Sequence, residues 1–516
     1  MRMKRGKEGF FRVIFSRSVT LIAMLFLQIF LLLIFSSFIN TSFLTVYGIT
    51  NIFAAFLVIY IYNLDELPDF KMAWIYPMMV LPIFGVMLYV FMKTQSGSRQ
   101  INKKINYIVK KTEDKLVQNP ELLKEIEERD RLFASNVNYL SKHAKYPTYD
   151  NSLVTYFRCG EELLPDLLED LKKAKEFIFL EYFIVSEGFM WDQMLEILTK
   201  KVEEGVEVRV MYDGLCSLFY LPYGYPKFLR ELGIKIKIFA PLKPLLTTQQ
   251  NNRDHRKIIV IDGKVAYTGG INMADEYINR KKRFGYWKDN GIRIKGDAVS
   301  SFTHMFLQLW NLDEKEIDNF DYYCKKHSKE LQVKNSYVCG YTDSPLDKEY
   351  VGANVYINLI NSATKYVYIM TPYLVLDYVM ERAIRNAAQR GVKVVILMPG
   401  IPDKKYAYCL ARTYYLKLIN AGVKIYEYTP GFVHSKMIIC DDKEFIIGSI
   451  NFDYRSLYLS FECAALVYGS DEIYKCKDDF EYSIEKSHLV TKEECKNRKL
   501  YYRIFGAFLK LLAPLM

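Results

Sequence analysis

One pattern of residues occurs twice in this chain with its internal spacing intact. His255-Arg256-Lys257 runs through four apolar residues to Asp262, and then to Gly269-Gly270-Ile271-Asn272. His434-Ser435-Lys436 runs the same way to Asp441 and Gly448-Ser449-Ile450-Asn451. Both copies read H-x-K, four residues, D, six residues, G-[GS]-x-N, and the offset is 179 residues for the histidines and the first glycines alike. A short motif met once says little; two copies in register imply a duplicated unit.

The flanks repeat as well. Phe177–Val185 reads as a buried strand, Met190–Glu203 as an amphipathic helix, Gly205–Asp213 and Gly233–Phe239 as further strands. Tyr366–Tyr373, Arg390–Met398 and Ala421–Tyr426 answer them in the same order, each half then entering its His-Lys-Asp stretch. The expected fold is α/β with parallel strands: two lobes packed with pseudo-twofold symmetry, the two motifs facing one another across the interface, where sites commonly form.

The first 92 residues are different. A basic start (Arg2, Lys4, Arg5, Lys7, Arg12, Arg17) precedes Val19–Ile39, 21 residues without a charge, about 31 Å as a helix and enough to cross a bilayer core. Apolar runs also span Leu44–Tyr62 and Met72–Met92, the last holding Pro77 and Pro82. The expectation is a multi-pass anchor of transmembrane helices in the cell membrane. Basic residues flank both ends of this region, which demands an even number of crossings, yet there are three runs. Either one run is re-entrant or interfacial, or the catalytic part faces outward.

These readings divide the chain into an anchor region 1–93, a linker 94–135, a first lobe 136–325, an inter-lobe linker 326–345 and a second lobe 346–516. The second lobe ends in an amphipathic tail, Tyr501–Met516, which either lies on lipid or docks on the protein's own body. Net charge is +11 and 15% of residues are aromatic, a balance that suits nucleic acid and anionic lipid equally. The nine cysteines are scattered and contain no CxxC, which speaks against a disulfide framework and a zinc site.

The motif residues specify a chemistry. His255 and Lys257 are two apart and share one face of a strand. A lysine at the start of a buried strand needs an anion to meet it. Two lysines (Lys257, Lys436) and two amides (Asn272, Asn451) at one interface would cradle a tetrahedral phosphate. One histidine would attack phosphorus while the other protonates the leaving oxygen, with no metal or cofactor. Each histidine also needs an orienting acid. Asp289 lies 34 residues after His255 and Glu462 lies 28 after His434, so each is expected to serve the histidine upstream of it. Asp262 and Asp441 belong to the catalytic motifs, but each lies seven residues from its histidine, about 23 Å along a strand, and is given a structural role at a turn.

On these residues the chain resembles the phospholipase D superfamily, and within it the bacterial cardiolipin synthases. Further likeness lies in Asn252–Lys257, Trp287-Lys288-Asp289, Thr371-Pro372-Tyr373, Asn451–Ser456, Ala73-Trp74-Ile75 and Leu81–Gly85 with Tyr89. Asp254 stands where that family often has Asn, and Cys440 sits inside the second motif. The resemblance implies phosphatidyl transfer between two phosphatidylglycerols, giving cardiolipin and glycerol. It implies His255, Lys257 and Asn272 from one lobe and His434, Lys436 and Asn451 from the other, Asp289 and Glu462 as orienting acids, His255 as nucleophile and His434 as acid/base. The implied partners are phosphatidylglycerol and cardiolipin in the membrane, with no nucleic acid. The alternative is a phosphodiesterase of the same superfamily, a lipid hydrolase or nuclease; a lipid-binding scaffold is the reading from another class.

Overall fold

The computed structural model describes residues 41–93, 97–241, 252–324, 331, 336–347 and 349–515. Two mixed sheets organise it. The first-lobe strands are β1 (Ser152–Phe157), β2 (Phe177–Tyr182), β3 (Glu207–Asp213), β4 (Lys235–Phe239), β5 (Arg253–Asp254), β6 (Lys257–Ile261), β7 (Val265–Gly269), β8 (Tyr286–Lys288) and β9 (Gly291–Gly296). The second-lobe strands are β10 (Tyr337–Asp343), β11 (Tyr366–Met370), β12 (Lys393–Pro399), β13 (Lys424–Tyr428), β14 (Gly431–Val433), β15 (Met437–Cys440), β16 (Glu444–Gly448), β17 (Ser460–Tyr468) and β18 (Ser487–Leu489).

The first sheet has the order β1-β9-β7-β6-β2-β3-β4, and the second β10-β17-β16-β15-β11-β12-β13-β18. Strand for strand, these are the same topology, with β18 added. Only β2, β3 and β4 run parallel, as do β11, β12 and β13. The His-Lys-Asp strands β6 and β15 are antiparallel to both neighbours. The expected parallel strands are corrected to a mixed sheet: three-residue turns at Asp262–Lys264 and Asp441–Lys443 return the chain directly, leaving no room for the crossover that a parallel pair needs. The aliphatic runs Ile258–Ile261 and Met437–Ile439 are buried throughout, as strands covered by helices on both faces must be.

Tyr337–Asp343, read from its polar surroundings as part of an inter-lobe linker, is instead the edge strand β10, paired along its whole length with β17. The charged stretch after residue 96 forms the helices Gly97–Thr112, Pro120–Arg129 and Arg131–Tyr139. Their apolar stripes bury Leu122, Ile126, Phe133 and Val137, and the Phe133 ring stacks on Tyr468 at 4.3 Å.

Near the N-terminus the expectation of transmembrane helices needs revision. The run Val19–Ile39 lies outside the described residues. The second run falls in the helix Thr41–Tyr62, interrupted by Thr45, Thr50 and Asn51. The third is not one helix but a hairpin, Pro68–Val80 and Pro82–Lys93. Pro82 has no N–H to continue the first helix and disfavours helical geometry at Leu81, whose φ and ψ are −135° and 75°. Gly85 lets the second helix close on the first: a Cβ there would lie 2.5 Å from the Met78 nitrogen. The Trp74 and Tyr89 rings consequently sit 5.5 Å apart, where a straight helix would hold them about 22 Å apart. Among the described residues, no helix is long and apolar enough to cross a membrane.

Candidate active site

Each motif histidine sits on an arm that is stitched to the opposite lobe. β5, just before His255, pairs in parallel with the start of β17, aligning Arg253 with Ser460 and Asp254 with Phe461. β14, just before His434, pairs in parallel with β8, aligning Val433 with Lys288. The His255 N–H donates to the Phe461 carbonyl at 2.9 Å and the His434 N–H to the Lys288 carbonyl at 2.7 Å. The residue following each acceptor is an acid, Glu462 or Asp289.

The acids therefore serve the histidines crosswise. His255 Nδ1 lies 2.9 and 3.0 Å from the two Glu462 carboxylate oxygens, and His434 Nδ1 lies 2.7 Å from Asp289. Linear spacing predicted the reverse pairing. The correction has a physical reason: a strand carries its own acid away from its own histidine, whereas the arm-to-strand ladders bring the other lobe's acid to it. An Nδ1–H donated to a carboxylate leaves Nε2 of each ring with its lone pair free for chemistry.

Electrostatics set the protonation states. Burial, then the ammonium groups of Lys257 and Lys436, hold His255 well below the usual imidazole range. Burial and Lys436 bring His434 down to about 4, against the pull of Asp289. Burial also lowers Lys257 to about 8 and Lys436 to about 7. The two acids differ. Burial raises Glu462 to about 7 despite Lys257 and the Ser449 hydroxyl. Asp289 is also raised by burial, but His434 and Lys436 outweigh this and leave it below the normal value.

The lysines fold back along their own strands. Lys257 Nζ donates to the His255 carbonyl at 2.5 Å, and Lys436 Nζ to the His434 carbonyl, lying also 2.9 Å from His434 Nδ1. The amides are not equivalent. Asn272 is fully engaged, Oδ1 accepting from the Ile184 N–H at 3.1 Å and Nδ2 donating to the Tyr277 hydroxyl at 2.7 Å. Asn451 Nδ2 donates to Ser456 at 3.0 Å, and its buried Oδ1 has no protein partner.

Asp262 and Asp441 are elsewhere. Asp262 ends β6 and accepts the N–H groups of Lys175, Glu176 and Phe177 at 2.8–2.9 Å, fixing the start of β2. Asp441 does the same for Thr364, Lys365 and Tyr366 at 2.7–2.8 Å. Both adopt positive φ, 53° and 54°, which aspartate tolerates better than most residues. The motif's two aspartates hold its strands and do not reach its histidines.

Several residues escaped sequence reasoning. The Ser449 hydroxyl donates to the Glu462 carboxylate and accepts from the Cys463 N–H at 3.0 Å. Its counterpart, Gly270, has no side chain for a steric reason: a Cβ there would meet an Asp289 oxygen at 2.0 Å. The G-[GS] variation between the two copies was the visible signal. Aromatic rings surround His434, with centroids at 5.3 Å (Tyr277), 5.5 Å (Trp287) and 5.8 Å (Phe432); Phe183 stands edge-on to His255 at 5.1 Å. Beneath the His255 arm, the buried guanidinium of Arg256 pairs with Glu181 and Asp254, and Arg253 with Asp213 at 3.4 Å. No pattern of spacing announces such a network.

A family model described as cardiolipin synthase, PLD-like domain, matches residues 167–310 and 356–484. The chain is 34% identical over 467 residues to a cardiolipin synthase of Alkalihalophilus pseudofirmus, spanning 89% of this chain and 92% of that one. It is 32% identical over 489 residues to cardiolipin synthase 1 of Staphylococcus aureus, spanning 92% and 97%. Among solved structures, a phosphatidylserine synthase of Haemophilus influenzae shares the fold, with a TM-score of 0.54 at 14% identity over 70% of this chain and 93% of that one. The chain belongs to the cardiolipin synthase family of proteins with paired PLD-like domains.

Proposed function

We propose that this protein is a cardiolipin synthase, a phosphatidyltransferase that joins two phosphatidylglycerols into cardiolipin and releases glycerol. One observation carries the reading in the geometry: two buried His–carboxylate pairs, each built from both lobes, with a buried lysine folded back on each histidine. It is supported by relatives of that name along nearly the whole chain.

The phosphodiester of one phosphatidylglycerol enters between the histidines, where Lys257 and Lys436 turn from the histidine carbonyls to its oxygens. His255, kept neutral by burial and the lysines, attacks phosphorus through Nε2 as the bond to the glycerol oxygen breaks. His434 gives that oxygen its proton. A phosphate anion neutralises the same ammonium groups that depress His434, so binding raises its basicity and loads it with the proton it needs. The free hydroxyl of a second phosphatidylglycerol then transfers its proton to His434 as its oxygen attacks phosphorus, and His255 departs. His434 must carry positive charge during the cycle, and its partner Asp289 is the acid held ionised. Glu462, raised to about 7, is the weaker support for an imidazolium, which fits His255 as the nucleophile.

The substrate places the enzyme at the cell membrane. The uncharged run Val19–Ile39 and the helix and hairpin that follow are its means of staying there.

The test is the lipid content of cells that depend on this chain alone for cardiolipin. Replacing it by the His255→Ala or His434→Ala form removes cardiolipin and lets phosphatidylglycerol accumulate. Unchanged lipid composition with either variant excludes the reading.

A further inference from the structure

The C-terminal helix Leu500–Leu512 docks on the protein's own body along one stripe. Its inner stripe docks on the helix Lys405–Asn420: Gly506 abuts Thr413, with a Cβ position 2.6 Å from the Thr413 methyl, and Leu509 and Ala513 are buried in the main core. Its outer stripe is left bare. Leu500, Ile504 and Phe508 are 67%, 62% and 56% exposed, and Tyr501, Phe505 and Leu511 about half exposed. These positions recur at helical spacing on one side. So dense an apolar face on a docked helix marks an interaction surface.

From this we infer that the outer face of Leu500–Leu512, with the hairpin Pro68–Lys93 beside it, is the surface on which the catalytic lobes lie against an anionic bilayer. This rests on the lipid-transfer function proposed above. Charge identifies the occupant. After Glu494 the chain carries Lys496, Arg498, Lys499, Arg503 and Lys510 and no acidic residue. Lys496, Lys499 and Arg503 are exposed, so the apolar stripe has a cationic border, the pattern of a helix lying in a headgroup layer.

Continuity supports the same occupant. The turn Ala513–Leu515 touches the helix Pro68–Val80, whose Met79 and Val80 are exposed; the partner helix exposes Met87 and Phe91. The C-terminal turn and the hairpin are thus in contact, and the helices of both carry exposed apolar side chains. The hairpin is tied to the site: Tyr454, three residues after Asn451, donates to its Asp69 at 2.5 Å, and Phe70 meets the Tyr454 ring edge-on at 6.0 Å. A bilayer held against the hairpin is held beside the loop that carries Asn451, so a phosphatidylglycerol headgroup reaches the lysines without its acyl chains leaving the lipid.

Two measurements on the full chain test this. In the first, Phe508→Trp adds an indole to the outer face, and its extra emission relative to the parent chain is followed in phosphatidylglycerol vesicles with brominated acyl chains. Quenching of the added emission is expected; an added emission that bromines leave untouched overturns the inference whatever the enzyme's activity. In the second, the exposed pair Ile504→Asp and Phe508→Asp is compared with the parent on vesicles and on dihexanoylphosphatidylglycerol below its micelle concentration. Turnover of the soluble lipid is unchanged, and KM for the vesicle lipid rises about a hundredfold, the size expected from losing two inserted side chains. Vesicle turnover equal to the parent's overturns the inference, as does loss of a dimer in the pair variant with vesicle turnover unaltered, which makes the face a contact between copies. A parent chain inactive on both lipids refutes the function instead, leaving the quenching result to judge the surface.

Discussion

His255 and Glu462 are 207 residues apart in the chain and 2.9 Å apart in space. The contact crosses the lobe interface, and His434 and Asp289 repeat it in the other direction at 2.7 Å. Neither lobe holds a complete histidine–acid pair, so both pairs exist only when the two lobes are folded and docked.

Crossed pairing predicts crossed coupling. Glu462→Gln and Asp289→Asn each lower kcat, by about 10²–10⁴-fold. In double-mutant cycles Glu462→Gln adds little to His255→Ala, and Asp289→Asn adds little to His434→Ala, because each pair acts as a unit. The uncrossed combinations are closer to additive. Steady-state turnover of phosphatidylglycerol in the presence of each variant measures this; coupling within the same lobe contradicts the geometry.

Lys436 gives a stability prediction with a definite sign. Its folded value, about 7, lies below the usual lysine value of 10.5. Between those limits the unfolded chain binds a proton that the folded chain has released, so stability rises with pH across that window and the lysine costs stability below it. Lys436→Met accordingly raises Tm at pH 7, by about 2–4 °C, abolishes turnover, and flattens the rise of Tm between pH 7 and 9. Calorimetry at three pH values checks it. A Tm lowered by the substitution contradicts this account of the buried ammonium.

Phosphate affinity moves the other way. Only the ammonium forms of Lys257 and Lys436 attract an anion, and they titrate at about 8 and about 7 in the free protein. Binding of vanadate as a phosphate mimic should weaken from pH 7 to pH 9, by up to about tenfold per pH step for each lysine losing its proton. Calorimetric titration of the full chain gives the slope, and a pH-independent affinity rules out the two lysines as the anion's cradle.

Gly270 and Ser449 occupy the same motif position and should not tolerate the same changes. Gly270→Ala forces Asp289 off His434, since a Cβ would stand 2.0 Å from its carboxylate and the acid is fully buried. A fall in kcat of about 10²-fold with Tm little changed is expected. Ser449→Gly removes one hydrogen bond to Glu462 and is milder. Equal effects at the two positions would falsify the asymmetry.

The motif was legible because it occurs twice with its internal spacing intact, so that one duplicated unit accounts for both copies. The repeat of the motif at an offset of 179 residues is how His255, Lys257, His434 and Lys436 were all placed at one interface. The acids were legible as residues and not as pairs: the ladders of β5 on β17 and β14 on β8 leave no trace in linear distance. β10 was hidden because Tyr337–Asp343 is buried on both faces at a sheet edge and follows a charged segment. The hairpin at Leu81-Pro82 was hidden because hydropathy measures how apolar a run is and not whether it is straight; Pro82 and Gly85 carried the information.

The most direct measurement is the product made by the purified protein from phosphatidylglycerol in bilayers. Cardiolipin and free glycerol in equal amounts are predicted, with no phosphatidic acid beyond a small hydrolytic fraction. Phosphatidic acid as the only new lipid contradicts the account and makes the protein a hydrolase built on the same pair of histidines.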